Sequence, residues 1–348
     1  MSLGNQEIDS LREYLLENGF PDCQEIKWKQ FKGGFSNLTY LLQIDGQEVV
    51  LRRPPLGSKI SKAHDMLREF NVLKALEKAS YSKTPKGILA CENTNIIGAP
   101  FFLMEKVHGE ILRNKLPKGQ DLDAQFFREL SINTLDSFIE LHQLELTESG
   151  LIHLGKPEGY VRRQVEGWIG RYEKAKTEEI PTLENAALWL MDNLPTHPTN
   201  ISFIHNDFKF DNLVLDSWGN PQIVAVLDWE MATVGDPLMD LGTLLAYWAE
   251  EEDVEELKMF SLSHLKGSFT RKEVVEYYAT RSGLDIDQIL FYYVFGVFKV
   301  AAIAQQIYQR FSQGFANDPR FGELIKVVRA FGTLAQRSIQ TKKIYHEN

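Results

Sequence analysis

Apolar positions recur at two periods along this chain, and the change of period divides it. Residues 6–18 carry Ile8, Leu11, Leu15 and Leu16 on one helical face, closed by Gly19 with Pro21 beyond. A period-two block follows. Ile26–Phe31, Leu38–Ile44 and Glu48–Arg52 read as three strands, the last two joined by the tight turn Asp45-Gly46. The spacing of Met66, Leu73 and Leu76 predicts a helix over Lys62–Lys78, and Glu69 falls on the same stripe. Ser80–Lys86 reads as a loop, and Pro100–Gly109 as a buried strand running into a turn.

From Asp121 onward the period becomes helical. Phe127, Leu130, Thr134, Phe138 and Leu141 mark a long helix, and residues 158–176 and 183–193 predict two more. Two apolar runs then flank a polar loop over Phe203–Asp216, and Ile223–Leu227 is a further strand ending at Asp228. Asp236-Pro237 suits the N-cap and first position of a helix. Asp240, in its first turn, either ties that helix to the polar loop or only complements the helix dipole. The acidic run Glu250–Glu256 is expected to be a solvated face, and His142 a packed or surface residue. Phe291, Val294, Phe298, Ala301, Gln305 and Tyr308 form a late helical stripe. The expected class is α+β, with a β-rich lobe over residues 1–106 and a mostly helical lobe over 107–348.

The net charge of −10 argues against a nucleic-acid partner, which would need concentrated positive charge. The longest apolar run, Phe291 to Ala304, is broken by Lys299 and falls short of the roughly 20 residues that span a bilayer. No membrane partner is expected. Two cysteines, Cys23 and Cys91, make no disulfide framework and point to a reducing compartment. The N-terminus lacks a signal pattern, so a cytoplasmic location is expected.

Chemistry concentrates in the polar loop. His205, Asp207, Lys209 and Asn212 lie within eight residues, in the pattern H-x-D-x-x-x-x-N, and Asp228 ends the next strand but one. A hairpin with solvated acids is the bland alternative, and the order and separation of the two pieces weigh against it. Upstream, Gly33-Gly34 between two strands permits close backbone approach and offers N–H groups to an anion. Arg52 and Arg53 end the third strand. A carboxylate such as Glu69 on an apolar stripe needs a partner, and Arg52 is the expected one; otherwise the arginines are a solvated surface pair.

These residues resemble the aminoglycoside phosphotransferase family, relatives of choline kinases and, more distantly, of protein kinases. The resemblance runs through Gly33-Gly34-Phe35-Ser36-Asn37, Leu51-Arg52-Arg53-Pro54-Pro55, Leu103-Met104-Glu105, His205-Asn206-Asp207 with Asn212, Leu227-Asp228-Trp229-Glu230, and Gly235-Asp236-Pro237 with Asp240-Leu241. Gly159–Trp168 and Ile307–Arg310 with Gly314 resemble the phosphotransferase domains found ahead of some acyl-CoA dehydrogenase domains. No dehydrogenase stretch follows here, so a stand-alone form is expected.

The resemblance implies a protein kinase-like fold and ATP-dependent phosphorylation of a small-molecule hydroxyl with Mg²⁺. Asp207 would orient or deprotonate the hydroxyl, Lys209 would neutralise developing charge, and Asn212 and Asp228 would hold the metal. Gly33, Gly34, Phe35, Ser36 and Asn37 would cover the phosphates, Arg52 would steady them, and Glu69 would steady Arg52. Backbone groups near Glu105 and Val107 would meet the adenine edge, and His205 would brace the loop.

Arg52 stands where more distant members carry lysine, which changes the phosphate geometry. Asp228-Trp229-Glu230 replaces Asp-Phe-Gly and argues against a flip of that segment. The subgroup likeness points to a hydroxyacyl-CoA acceptor, with Arg162, Arg163 and Arg310 as contacts to CoA phosphates. The alternatives are an amino alcohol or aminoglycoside and, in another class, a catalytically silent nucleotide-binding scaffold. Intact Asp207, Asn212 and Asp228 argue against the last.

Overall fold

An antiparallel sheet forms the middle of the first of two compact units, Met1–His108 together with Val224–Glu230. The computed structural model describes residues 4–31, 37–55, 61–196, 200–316 and 318–346. Helix α1 (Asn5–Glu17) precedes strands β1 (Ile26–Gln30), β2 (Leu38–Ile44) and β3 (Gln47–Arg53), and α2 (Ser61–Lys78) leads to β4 (Gly87–Cys91) and β5 (Phe101–Glu105). The strands form one antiparallel sheet in the order β1-β2-β3-β5-β4.

Leu42, Leu51 and Leu103 share a core with Leu11 and Leu15 of α1. Because successive residues of a strand point to opposite faces, Leu51 faces α1, Arg52 turns to the α2 side, and Arg53 returns to α1. Arg53 is fully buried there, its Nη1 at 3.0 Å from the Glu7 carboxylate and 2.5 Å from the Ile97 carbonyl. A solvated arginine pair is therefore excluded.

β4 is absent from the sequence reading. Its five residues show no alternation, and pairing with β5, rather than any local pattern, makes it a strand at the sheet edge.

The second unit comprises Gly109–Ile223 and Met231–Asn348. Its helices are α3 (Ala124–His142), α4 (Tyr160–Ala175) and α5 (Pro181–Asp192), then α6 (Pro237–Tyr247), the short α7 (Glu255–Lys258), α8 (Arg271–Ser282), α9 (Ile289–Ser312) and α10 (Leu324–Thr341). Between α5 and α6 the chain forms β6 (Ser202–Ile204), β7 (Leu213–Ser217), β8 (Asn220–Val226) and β9 (Thr233–Gly235), with β6 paired to β9 and β7 to β8. β8 runs on past Ile223 into the segment assigned to the first unit.

Helix α9 packs against α4, α5, α6 and α10. It is long and apolar enough to cross a bilayer, but 78% of its apolar window is buried inside the fold, so its hydrophobicity is accounted for by the core.

The acidic run corrects an expectation. Glu251, Glu252 and Glu255 are exposed, but Glu250 and Asp253 are buried against the Arg271 guanidinium, with Nη1 3.2 Å from Glu250 and Nη2 on Asp253. Arg271 is 1% exposed, and a guanidinium so far from water requires paired carboxylates. The His346 ring adds a contact to Asp253 at 2.9 Å.

Helices α6 and α9 meet backbone to backbone. A Cβ added to Gly242 would lie 2.0 Å from the Tyr292 carbonyl oxygen, and one on Gly296 would lie 2.0 Å from that of Gly242. Main chain cannot yield as a side-chain tip can, so Gly242→Ala must separate the helices. We expect it to lower the unfolding free energy by about 3 kcal/mol, read from urea denaturation. An unchanged midpoint would contradict this packing.

Candidate functional site

In the second unit the polar loop leaves β6 at Ile204 and enters a 3₁₀ turn, Phe210–Asn212, before β7. Asn206 holds φ at +68°, a left-handed conformation that asparagine tolerates better than most residues. The loop is clamped from α6. Asp236 caps that helix by accepting from the Leu238 N–H at 2.9 Å, with Pro237 at its first position. This aims Asp240, which has no exposed surface, at the loop: its carboxylate accepts the backbone N–H of His205 at 2.6 Å and of Asn206 at 2.8 Å. His142 Nε2 adds a contact at 3.3 Å, and its Nδ1 lies 2.7 Å from the Tyr278 hydroxyl. Asp240 is thus the tie to the loop, and His142 a packed residue supporting it. Burial pushes the Asp240 carboxyl upward, but His142, His205 and Lys299 outweigh it and hold it below the ordinary aspartate value.

The clamped loop presents Asp207. Its Oδ2 accepts from Asn212 Nδ2 at 2.9 Å and lies 3.0 Å from Lys209 Nζ. Asn212 Nδ2 also reaches the Asp207 carbonyl at 2.9 Å. The Asp207 N–H donates to His205 Nδ1 at 3.2 Å, so His205 braces the loop. Lys209 Nζ lies 4.9 Å from the centroid of the Tyr247 ring. Burial opposes the Lys209 charge, yet Asp207, Tyr247 and Asp211 hold its pKa well above the ordinary lysine value. The Lys209 side chain beside Asp207 is thereby favoured as an ammonium.

In the first unit, Arg52 Nη1 meets Glu69 at 2.6 Å and Nη2 meets Asp228 at 3.0 Å, with Glu230 at 3.9 Å. Glu69 is 1% exposed, so the expected strand-to-helix pair is present and buried. Burial and the like charges of Asp228 and Glu230 push the Glu69 carboxyl upward, against the pull of Arg52. The short contact to a guanidinium that stays charged favours the carboxylate, and we take the pair as ionised. Burial also opposes the Arg52 charge, and Glu69, Asp228 and Glu230 more than restore it. Asp228 has φ of +67°, and Asn37 Nδ2 donates to Glu230 at 3.0 Å.

The other expected residues fare differently. Gly33, Gly34, Phe35 and Ser36 lie outside the described residues. Glu105 is exposed and its N–H is bonded to the Lys86 carbonyl at 2.9 Å, while Val107 is half-buried. Arg162 is exposed and pairs with Glu166 at 3.4 Å. Arg163 instead donates to the carbonyls of Lys156 and Glu158 and secures the turn before α4. Arg310 is exposed.

Tyr160, Tyr247 and Lys299 also support the loop and were not singled out from sequence. Lys299 had one visible signal, a lone charge inside an apolar run.

The clamp has a measurable pH signature. The folded-state pKa of Asp240 lies below its unfolded value, so its stabilisation is present above about pH 4 and is lost as pH falls through the folded value. Asp240→Asn should cost about 3 kcal/mol at pH 7 and remove that part of the acid dependence. Equal acid slopes for wild type and variant in urea unfolding would contradict the assignment.

The phosphotransferase enzyme family model matches residues 27–274. Acyl-CoA dehydrogenase family member 11 of Homo sapiens is 35% identical over 313 residues, which cover 88% of this chain and 39% of that protein. The chain thus spans about two fifths of that relative's length. A solved structure of a candidate aminoglycoside phosphotransferase from Ralstonia eutropha superposes with a TM-score of 0.80 at 27% identity, over 96% of this chain and 98% of the other. Choline kinase from Cryptosporidium parvum shares the fold, with a TM-score of 0.63 at 14% identity over 97% of each chain. A β-sheet unit and a helical unit of this kind are the α+β, kinase-like fold of those neighbours. With the family model spanning most of its length, the chain belongs to the phosphotransferase enzyme family.

Proposed function

We propose that this chain transfers the γ-phosphoryl group of ATP to a hydroxyl of a small molecule, and that the acceptor is a hydroxyacyl-CoA. The observation that carries the reaction is the Asp207 carboxylate, held by Asn212 and Lys209 on a loop clamped by a buried acid. Asp207 receives the hydroxyl proton, the acceptor oxygen bonds to the γ-phosphorus, and the bond to the β-phosphate oxygen breaks to leave ADP. Lys209 neutralises charge near the transferred group, and Arg52, steadied by Glu69, serves the phosphates. Positioning and charge then supply most of the rate, with little covalent work for the protein.

Asn212 and Asp228 are the proposed ligands for Mg²⁺. Asn212 commits its amide nitrogen to Asp207, which leaves Oδ1 as the atom a cation would take, and Asp228 is an anionic side chain 36% exposed. Both are hard oxygen donors. Among the described residues no group of three or more His, Cys, Asp or Glu could hold a metal, which suits an ion bound by one or two side chains and by nucleotide phosphates. When bound, Mg²⁺ would neutralise charge on those phosphates.

Residues 1–106 would form the nucleotide-binding lobe, with Gly33–Asn37 over the phosphates and the backbone near Glu105 and Val107 at the adenine. Residues 107–348 would form the catalytic and substrate lobe. The CoA reading draws on the acyl-CoA dehydrogenase relatives and on Arg162 and Arg310, which are exposed and suited to CoA phosphates. The charge of −10 and the Ralstonia and choline kinase likenesses favour a second reading, an aminoglycoside or amino alcohol. A cytoplasmic enzyme without nucleic-acid partners fits the charge and cysteine content.

Asp207→Ala separates chemistry from binding. We expect the dissociation constant for Mg-ATP, measured by calorimetry, to stay within about threefold, while acceptor-dependent ADP release falls by at least about 100-fold. Turnover that survives the substitution would remove Asp207 from its role.

A further inference from the structure

Lys299 stands alone in the apolar middle of α9 and is 1% exposed. A lysine this deep is retained only where its ammonium has partners, and here two of its three acceptors belong to Asn206. Its Nζ donates to the Asn206 carbonyl at 2.7 Å, to Asn206 Oδ1 at 3.2 Å and to Thr243 Oγ1 at 3.4 Å, and lies 5.8 Å from the Trp168 ring centroid. Asn206 is the left-handed residue immediately before Asp207. Asp240 holds its N–H, and its side-chain amide donates to the Tyr160 hydroxyl at 3.1 Å and the Met231 carbonyl at 3.2 Å. Lys299 thus holds the one end of Asn206 that Asp240 does not reach: the carbonyl of the peptide that leads into Asp207.

We propose that Lys299 is a positioning residue for phosphoryl transfer, its ammonium fixing the Asn206–Asp207 peptide and so the aim of the Asp207 carboxylate. The proposal rests on the reading of Asp207 given above. Asp240 and Asp207 favour the Lys299 charge, Lys209 and Arg171 oppose it, and His142, His205, Tyr160, Tyr278 and Asp236 are further titratable groups around Asn206 and Asp240. Burial wins and brings its pKa down to about 8. Lys209, by contrast, is held well above the ordinary lysine value, and burial first among other causes pushes Tyr160 and Tyr247 well above the ordinary phenol value. Between about pH 8 and 10, Lys299 is therefore the group of this set that loses its proton.

Activity and stability should then part company. A lysine whose folded pKa is depressed binds fewer protons folded than unfolded, so between about pH 8 and 10 its contribution to stability improves as pH rises. The positioning bond weakens over the same range. We expect kcat of the wild-type enzyme to fall with a midpoint near pH 8 while urea stability does not fall with it.

The test combines that pH profile with two variants. Lys299→Met should lower kcat at pH 7 by about 10- to 100-fold, leave the KM for ATP within about twofold, and abolish the alkaline limb. Thr243→Val removes one acceptor from the ammonium without touching Asn206, and should move the limb down by about half a pH unit. This milder change keeps the test open if Lys299→Met folds poorly. A flat wild-type profile from pH 7 to 10, or a limb that Thr243→Val leaves in place, would overturn the proposal. Asp207→Ala assayed in parallel separates the two failures: if it abolishes turnover while the limb is absent, Lys299 is misassigned and the catalytic reading stands; if it keeps turnover, the catalytic reading itself fails.

Discussion

The polar loop of the helical unit is held by one buried carboxylate. Asp240 accepts two consecutive backbone N–H groups, His205 and Asn206, and an aspartate with no exposed surface can do so only where neighbours compensate its charge. The helix that carries it is set by its own cap, Asp236 with Pro237, and by close approach to α9 through Gly242 and Gly296. A polar loop that would otherwise sample many conformations is thereby held with Asn206 left-handed and Asp207 facing Asn212 and Lys209. The glycine contact, distant from the polar loop in sequence, is part of the same device.

The sheet unit solves a different problem, concentrating charge without exposing it. Alternation along β3 sends Arg52 and Arg53 to opposite faces, and each meets a carboxylate from a different helix, Glu69 of α2 and Glu7 of α1. Arg52 also meets Asp228, so one guanidinium gathers the acids of two separate stretches of chain. The fork geometry of arginine permits this division, since Nη1 and Nη2 take different partners; a lysine ammonium offers a point charge without that fixed spread.

Much of this was legible beforehand, for identifiable reasons. The polar loop, Asp228, the Arg52–Glu69 pair and the N-cap of α6 announce themselves by short-range spacing and by a carboxylate on an apolar stripe. β4 was not legible, because an edge strand of five residues owes its form to β5. The acids Glu250 and Asp253 read as solvated in sequence because their partner, Arg271, is distant along the chain and its burial leaves no local pattern. For Arg163, sequence does not show the two carbonyls before α4 to which it donates. Tyr160 and Tyr247 act through tertiary contacts from helices whose pattern already accounts for them as core, whereas Lys299 stands out as a lone charge in an apolar run but its partner Asn206 is distant in sequence.

Phosphoryl transfer from ATP to a small-molecule hydroxyl can be followed by ³¹P NMR of the reaction mixture. Purified protein with Mg-ATP would be offered three acceptor pools in turn: hydroxyacyl-CoA thioesters, amino alcohols and aminoglycosides. A new phosphomonoester resonance, matched by ADP, is expected with the hydroxyacyl-CoA pool. Mg-ATP that binds yet yields no phosphomonoester in any pool would contradict it.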